Sequence, residues 1–254
     1  MIYYAIPLRA KQTSNNWDDV CKLLYKTLQS ISLTGGDYKV VVACHDKPDF
    51  PLTEFDDRVS FVKVWHPVPT DKNGYMADKT SKKNVARRKI LELAQADDLF
   101  MFIDADDILA KDFFNVISSA FSRNPDIHDI AFHTGFILDS NRGKVGYLDG
   151  KEKVFYKGCG TCFISRLSGE DVNNDDETAT FLFSLKDHTK YPESSLTFGR
   201  SVMAMQTPVV CYIVNHGSND TTERVGLNAM ESFVDRLECK NEALLKRYEK
   251  NFEN

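Results

Sequence analysis

The chain has 254 residues, of which 42% are hydrophobic and 27% charged, a balance that supports one large α/β domain or two small ones. Its net charge of −5 and pI near 5.7 argue against nucleic-acid binding through a basic surface. No segment approaches the apolar length that crosses a bilayer, and the apolar run at the N-terminus is too short for a signal peptide. We therefore expect a cytoplasmic protein whose six cysteines are reduced.

The first quarter of the chain predicts three strands and one helix. Residues 2–6 and 38–44 are apolar runs typical of buried strands, and residues 59–65 alternate like a third strand. Between the first two strands, apolar residues recur at helical spacing over 17–30. This order of elements favours a mixed, mostly parallel sheet flanked by helices.

A polar stretch and a basic helix are predicted next. Residues 67–80 contain two prolines and a glycine and predict a loop, whereas residues 81–96 have the period of a helix. A basic helix face is usually only solvated, but this one leads directly into an acidic strand end. Its cations could therefore converge with a metal ion on one polyanion, such as a pyrophosphate. The basic residues are Lys79, Lys82, Lys83, Arg87 and Arg88.

The acidic strand end is the motif around which the chain is organised. Five successive apolar residues, 99–103, predict a strand buried on both faces, and Asp104, Asp106 and Asp107 follow it. Carboxylates at i and i+2 of an extended chain point the same way, and converging carboxylate oxygens suit Mg²⁺ or Mn²⁺. The alternative is that these acids cap the helix predicted after them.

The rest of the chain completes an α/β pattern. We predict a helix over 111–123, a strand over 129–138, a late strand or pair of strands over 202–214, a hairpin turn region over 142–150 and one C-terminal helix over 227–252.

Two further stretches carry no strong functional signal. Cys159 and Cys162 form a C-x-x-C without a second pair at zinc-ribbon spacing, which favours structural cysteines. The acidic stretch 168–178 is expected to be a solvated loop.

In motif order and spacing, residues 2–217 resemble the GT-A glycosyltransferases, specifically a divergent member of the family 2 type found in bacterial polysaccharide assembly. The first strand ends in proline, an acid follows the second strand, and a helix arginine lies 17 residues before the D-x-D motif. A glycine, a proline, an aromatic residue and a histidine follow near the end of the matched region. The residues that carry the resemblance are Pro7, Asp46, Arg87, Asp104, Asp106, Gly199, Pro208, Tyr212 and His216.

The resemblance implies a single Rossmann-like GT-A domain over residues 1–226. Its nucleotide-binding half would cover about 1–110 and its acceptor half about 111–226, with residues 227–254 as a C-terminal helix packed on the domain. It implies an enzyme that uses a divalent metal to move a sugar from a nucleotide-diphosphate donor, a UDP-sugar first, to a glycan or lipid-linked saccharide acceptor. Such an enzyme can touch the inner face of a membrane, although no basic amphipathic helix supports that contact here.

The resemblance also implies roles for individual residues. Mn²⁺ or Mg²⁺ would be held by Asp106, Asp104 and His216, since imidazole suits Mn²⁺ better than Mg²⁺. His216 has a second interpretation, as a strand-end histidine bonded to backbone. An inverting member needs a carboxylate base, for which Asp187 is the candidate and Glu193 its competitor. The donor would be bound by Pro7, Arg9, Asp46, Lys79, Lys83, Arg87, Asp104, Ala105 and Asp106.

The chain departs from the family pattern in places that leave the base and the stereochemical outcome open. Lys186-Asp187-His188 stands where the family has a Glu-Asp pair, and Arg88 and Ile90 replace its usual asparagine and glycine.

Three other functions compete with the transferase. A nucleotidyltransferase shares the phosphate and metal chemistry but usually has a glycine-rich loop after the first strand, where this chain has Pro7-Leu8-Arg9-Ala10. A haloacid-dehalogenase phosphatase normally carries its D-x-D near the N-terminus. A non-catalytic sugar-binding domain of the same fold is the third.

Overall fold

A computed structural model of the protein describes residues 1–50, 55–151, 153–173, 180–217, 222 and 225–253. Its strands are β1 (Ile2–Pro7), β2 (Tyr38–Cys44), β3 (Val59–Lys63), β4 (Leu99–Phe102), β5 (Ile108–Leu109), β6 (Asp129–Phe132), β7 (Gly135–Asp139), β8 (Lys144–Leu148), β9 (Phe163–Arg166), β10 (Val202–Met205) and β11 (Val210–Val214). Its helices are α1 (Trp17–Leu33), α2 (Lys72–Leu91), α3 (Phe113–Arg123), α4 (Gly169–Asn173), α5 (Phe181–Ser184), α6 (Tyr191–Thr197), α7 (Leu227–Arg236) and α8 (Glu242–Phe252).

The larger sheet has seven strands in the order β10-β6-β9-β4-β1-β2-β3. The pairs β4–β1, β1–β2, β2–β3 and β10–β6 are parallel, and β9 runs antiparallel between β4 and β6. This confirms the predicted fold class, a mixed and mostly parallel sheet flanked by helices. The register pairs Pro7 with Ala43 and Ala5 with Phe102, so the carboxyl ends of β1, β2 and β4 share one edge.

The central strands form because their residues are apolar on both faces. Every residue of β1 is buried, as a strand covered by helices on both sides requires. Helix α3 packs on one face through Phe113, whose ring lies 6.4 Å from Tyr4 and 6.0 Å from Phe132. Helix α3 and the central strands thus share one apolar core, which supports the sheet.

The second sheet brings the C-terminal part of the chain to that edge. Its order is β5-β11-β7-β8, with β11 antiparallel to β5 and parallel to β7. Strand β5 directly follows the acids 104–107, and β11 ends two residues before His216. Because Cys211 pairs with Ile108, the chain after β11 runs back towards those acids.

Helix α2 corrects the sequence prediction. The predicted loop over 67–80 and helix over 81–96 are wrong in their boundary, since α2 runs from Lys72 to Leu91. The Asp71 carboxylate accepts the Gly74 N–H at 3.1 Å, as a capping side chain does. The first turns escape prediction because most of their residues are polar and the few apolar ones are consecutive, which gives no helical period.

The C-terminal segment is built as two helices, α7 and α8, and not as the one helix predicted. The break occurs where Cys239 N–H donates to the Val145 carbonyl at 3.0 Å, an edge contact with β8. The Asn241 side chain then caps α8 by accepting from the Ala243 and Leu244 amides. Asn254 lies outside the described residues.

Two smaller predictions also change. The strand predicted over 129–138 divides into β6 and β7, which belong to different sheets. The stretch 168–178 contains helix α4, and its residues 174–178 lie outside the described part of the chain. Within the described residues, no helix has both the length and the apolar character that membrane crossing requires.

Candidate functional site

A cavity of about 130 Å³ opens at the shared carboxyl edge of the large sheet. Four parts of the chain line it: the segment that ends β1 with the start of α1, the first half of α2, the acidic loop after β4, and the end of β11. The lining residues are Pro7, Leu8, Arg9, Thr13, Val20, Leu23, Tyr75, Asp78, Lys79, Lys82, Asp104, Ala105, Asp106, Tyr212 and His216. Seven of the predicted donor and metal residues are therefore brought together.

The acidic loop sits at the cavity because β4 ends abruptly. Ile103 N–H still bonds to the Ala5 carbonyl at 3.0 Å, but Asp104 N–H donates to the Thr161 hydroxyl oxygen at 2.9 Å. Asp107 N–H then bonds back to the Asp104 carbonyl, which closes a tight turn. The turn leaves the side chains of Asp104, Ala105 and Asp106 partly exposed at the cavity.

Asp104 is held by lysines of α2. The Lys79 ammonium lies 2.8 Å from its carboxylate. Burial opposes ionisation of this carboxyl group, but the charges of Lys79 and Lys83 outweigh burial and lower its pKa. Asp104 is thus a carboxylate whose charge is already matched by the basic helix.

Asp106 is paired instead with His216. The Nε2 atom of His216 lies 2.8 Å from Asp106 Oδ2, and the other ring nitrogen, Nδ1, is buried without a hydrogen-bond partner among the described residues. The interpretation of His216 as a histidine bonded only to backbone does not describe this contact. A carboxylate oxygen and an imidazole nitrogen at this distance are a donor pair that suits Mn²⁺.

The structure separates the three predicted metal ligands into a pair and a single residue. Within the described residues, the ligand atoms of Asp104, Asp106 and His216 do not form a set of three within 4.8 Å of one another. Asp106 and His216 fit a divalent cation whose remaining positions are filled by phosphate oxygens and water. Asp104 lies beside that pair with its charge directed to Lys79.

Asp107 does not line the cavity, and its side chain bonds to neighbouring parts of the fold instead. It is fully buried, and it accepts the Cys159 thiol at 3.2 Å and the Ile213 N–H at 3.3 Å. Burial, followed by the charges of Asp106 and Asp104, raises its pKa well above the ordinary value. The alternative in which these acids cap the next helix is not observed, because Asp112 occupies the N-cap of α3 and makes no side-chain capping bond.

The basic face of α2 divides into two sets. Lys79 and Lys82 line the cavity, although Lys82 is itself almost fully buried and bonded to Asp78. Lys83 and Arg87 are buried and lie outside the lining. The Lys83 ammonium donates to the Tyr191 hydroxyl at 3.0 Å, and burial, with help from the Lys79 charge, lowers its pKa to about 8.

Arg87 is placed differently from what the resemblance implies. Its guanidinium donates to the Leu182 carbonyl and to the Asn84 side chain, and it lies 3.5 Å above the ring of Phe183. These contacts hold helix α5 against α2, away from the lining of the cavity. The shared periodicity of the basic residues could not reveal this, because whether a cation meets a cavity or another helix depends on tertiary packing.

The remaining predicted residues lie outside the lining of the cavity. Asp46 follows β2 on the same edge, where its carboxylate accepts the Lys11 N–H at 3.0 Å. Asp187 is exposed and accepts the Thr189 N–H and hydroxyl; burial opposes its ionisation, but these bonds outweigh it and lower its pKa. Glu193 is exposed in the first turn of α6.

Sequence reasoning missed two contributions to the site. Tyr75 and Asp78 line the cavity from turns of α2 that were predicted as loop. The segment 158–162 supports the acids from below, through the Thr161 and Cys159 bonds and through Gly160, where an added Cβ would lie 2.5 Å from Asp104 Oδ2. The run of small residues in this segment, Gly-Cys-Gly-Thr-Cys, is the sequence feature from which its close packing against the acids could have been predicted.

No family model matches the chain, and no curated protein matches its sequence. Among solved structures, 98% of the chain aligns with S. aureus TarS 1-349, covering 71% of that chain at 13% identity and a TM-score of 0.48. A mannosyltransferase from Pyrobaculum calidifontis, in complex with GDP-Man and Mn²⁺, aligns with 84% of the chain at 13% identity and a TM-score of 0.47.

A third similar structure is the 4-diphosphocytidyl-2C-methyl-D-erythritol synthase from Anaerococcus prevotii, which aligns with 93% of the chain at 11% identity and a TM-score of 0.42. The alignment with this chain covers 96% of the synthase, but only 57% of the mannosyltransferase and 43% of a longer TarS structure. The similar structures thus include a sugar transferase and a synthase named for a cytidyl product. At these TM-scores none of them assigns an activity to this chain.

Proposed function

We propose that the protein is a metal-dependent glycosyltransferase that moves a sugar from a nucleotide-diphosphate donor, a UDP-sugar first, to a glycan or lipid-linked saccharide acceptor. One observation carries this proposal. The Asp106–His216 pair shares a cavity at the carboxyl edge of a mostly parallel sheet with the cations of Arg9, Lys79 and Lys82. That edge is where α/β sheets bind their ligands.

The charges of the cavity suit a diphosphate. Arg9 and Lys79 offer cationic groups to the phosphate oxygens, and the Arg9 guanidinium is positioned 5.1 Å above the Tyr75 ring. A divalent metal held by Asp106 and His216 would neutralise the charge that develops on the leaving nucleoside diphosphate. The Lys79 ammonium also bonds to Asp104, so this lysine holds the carboxylate in place at the wall of the cavity.

The outer parts of the site are assigned from position alone. Pro7 ends β1 at the cavity, and Asp46 follows β2 one strand further along the same edge, where a nucleobase or ribose would extend. An inverting reaction needs a carboxylate that takes the acceptor proton. Asp187 and Glu193 are the candidates, and both are exposed on the turn and helix that follow α5.

The test is a thermal-shift titration of the full chain with UDP, GDP, CMP and dTDP, each with Mn²⁺ and with EDTA. We expect one diphosphate to stabilise the wild type only with metal, and Asp106→Ala to lose that response. Asp126→Ala removes an exposed carboxylate that is not in the cavity lining and is the matched control. A wild type that responds to no nucleotide with any metal contradicts the proposal.

The products then separate the enzyme classes. Release of a free nucleoside diphosphate from the sugar donor, dependent on a saccharide acceptor, is expected for a glycosyltransferase. Release of pyrophosphate from a nucleoside triphosphate and a sugar phosphate would identify a nucleotidyltransferase instead. Nucleotide binding without turnover of either kind would identify a non-catalytic sugar-binding domain.

A further inference from the structure

We propose that His45, His66 and Asp78 form a second metal site, which binds a zinc-class divalent cation and is separate from the Asp106–His216 pair. The three residues come from different elements: His45 directly follows β2, His66 follows β3, and Asp78 lies on α2. One ligand atom from each residue lies within 4.8 Å of the other two. No sequence motif links them, so only the fold brings them together.

The spacing of the ligand atoms matches a small tetrahedral cation. His66 Nε2 lies 2.8 Å from Asp78 Oδ1, and His45 Nδ1 lies 3.8 Å from the same oxygen. Ligands bound to zinc at 2.0–2.1 Å in tetrahedral geometry lie about 3.4 Å from one another. The two observed distances fall on either side of that value, so movements of about half an ångström would bring both pairs of atoms to the tetrahedral separation.

The contacts of the His45 ring favour the tautomer that a metal ligand requires. Its Nε2 lies 2.9 Å from the His66 carbonyl oxygen, which can only accept, so in the neutral ring Nε2 carries the proton and Nδ1 carries the lone pair. Nδ1 is buried and has no hydrogen-bond partner among the described residues, and the side chain is 9% exposed. A backbone carbonyl that fixes the tautomer of a histidine is the usual outer partner of a metal ligand.

The Asp78 carboxylate is also oriented as a metal ligand would be. The Lys82 ammonium lies 2.6 Å from Oδ2, which leaves Oδ1 directed at the two histidines. Ligating carboxylates are commonly supported by such a second hydrogen bond. His66 is 28% exposed and gives access from solvent, so water can fill a fourth position.

The donor set selects the class of cation. Two imidazole nitrogens and one carboxylate oxygen suit Zn²⁺ or its spectroscopic substitute Co²⁺, whereas Mg²⁺ prefers oxygen ligands alone. The same contacts without a metal would be a His–Asp–Lys hydrogen-bond cluster that fastens α2 to the ends of β2 and β3. The two alternatives differ in whether the intact protein binds the cation with these three residues.

The experiment titrates chelator-treated full-length protein with Co²⁺, followed by optical absorption, and then displaces Co²⁺ with Zn²⁺ at measured stoichiometry. We expect a tetrahedral visible spectrum without a thiolate charge-transfer band. His66→Gln and Asp78→Asn should each lower the affinity at least about 10-fold and remove that spectrum. Asp106→Ala and the control His128→Gln, which replaces an exposed histidine, should retain it.

Either of two results would overturn the site. One is wild-type Zn²⁺ affinity in both His66→Gln and Asp78→Asn, with circular dichroism showing that both variants are folded. The other is a tetrahedral spectrum that disappears in Asp106→Ala or contains a thiolate band, because the cation would then be bound by the cavity pair or by cysteines. Since the readout is metal binding, it is independent of whether the chain transfers a sugar.

Discussion

Two of the groups of charged side chains in the described part of this fold differ in how completely their hydrogen-bonding capacity is used. In the first, Arg200 forms two bonds of 2.8 and 2.9 Å to Asp129 and lies 3.4 Å from Asp171. Ser195 also donates to Asp129, and Ser168 donates to Asp171. The second group lies at the cavity or directly beside it. Asp104 pairs there with Lys79 and Asp106 with His216. Asp78 lies between Lys82 and the two histidines His45 and His66.

This difference indicates which group stabilises the fold and which group is available to bind a ligand. The Arg200 group is buried, with its hydrogen bonds directed at protein atoms, and Arg200 also lies 4.2 Å above the Phe181 ring. The cavity group retains partly exposed carboxylates and two buried histidine nitrogens, in His45 and His216, without hydrogen-bond partners among the described residues. A saturated network fixes the fold, whereas an unsaturated one beside a cavity leaves bonding capacity for a ligand.

The largest effect is expected from breaking the saturated group. Arg200→Leu leaves the Asp129 carboxylate buried without its cation, which should lower the free energy of unfolding by about 3–5 kcal/mol. Urea unfolding followed by circular dichroism measures this loss. Arg123→Leu, at an exposed arginine, is the control and should stay within about 0.5 kcal/mol of wild type. A loss below about 1 kcal/mol in Arg200→Leu would mean that the network is not structural.

The next effect is on the pH dependence of stability and concerns His188, which precedes α6. Burial, the largest cause, lowers the pKa of His188 to about 4. Between pH values of about 4 and about 6.5, the unfolded chain therefore binds more protons than the folded chain. The free energy of unfolding consequently decreases as the pH falls through this window. We expect a loss of about 2 kcal/mol between pH 6.5 and 4 that His188→Gln largely removes.

Urea unfolding at several pH values in this window tests the assignment. The control is His128→Gln, which replaces an exposed histidine and should keep the wild-type slope. Equal slopes in wild type and His188→Gln would show that another group causes the acid sensitivity.

The cavity group should respond in binding more than in stability. Lys79→Met removes the cation 2.8 Å from Asp104 and, in the proposed function, a partner of the donor phosphates. We expect about 10-fold weaker binding of the nucleoside diphosphate with Mn²⁺, or about 1.4 kcal/mol, measured by calorimetry. Lys89→Met, which removes an exposed lysine of the same helix paired with Glu92, should bind like wild type. A stability loss with unchanged affinity would place Lys79 in the structural group.

The smallest effect tests the support beneath the acids. In Gly160→Ala the new Cβ would lie 2.5 Å from Asp104 Oδ2, so the carboxylate must rotate away from its position. An off-rotamer side chain costs about 1 kcal/mol, and we expect a loss of that size in nucleotide affinity with metal. Gly169→Ala is the control, since its Cβ would meet nothing within 4 Å. Equal affinity in both variants would show that the position of Asp104 does not matter for binding.

The local sequence was sufficient to predict the strands and helices whose residues form an uninterrupted apolar or helical pattern. The apolar runs of β1, β2 and β4 require burial on both faces, and their order with α1 required parallel pairing, so the fold class could be predicted. The acids after β4 could be placed at the sheet edge because a buried strand that ends in carboxylates must reach a cavity, a partner or solvent.

Contacts between distant residues decided the rest. Lys79, Lys83 and Arg87 follow one helical pattern, yet the packing of α5 and α6 directs Lys83 to Tyr191 and Arg87 to Leu182, while Lys79 meets Asp104. His45, His66 and Asp78 converge only because β2 and β3 end beside α2. Periodicity specifies the face of an element, and the neighbour that covers that face is set by tertiary structure.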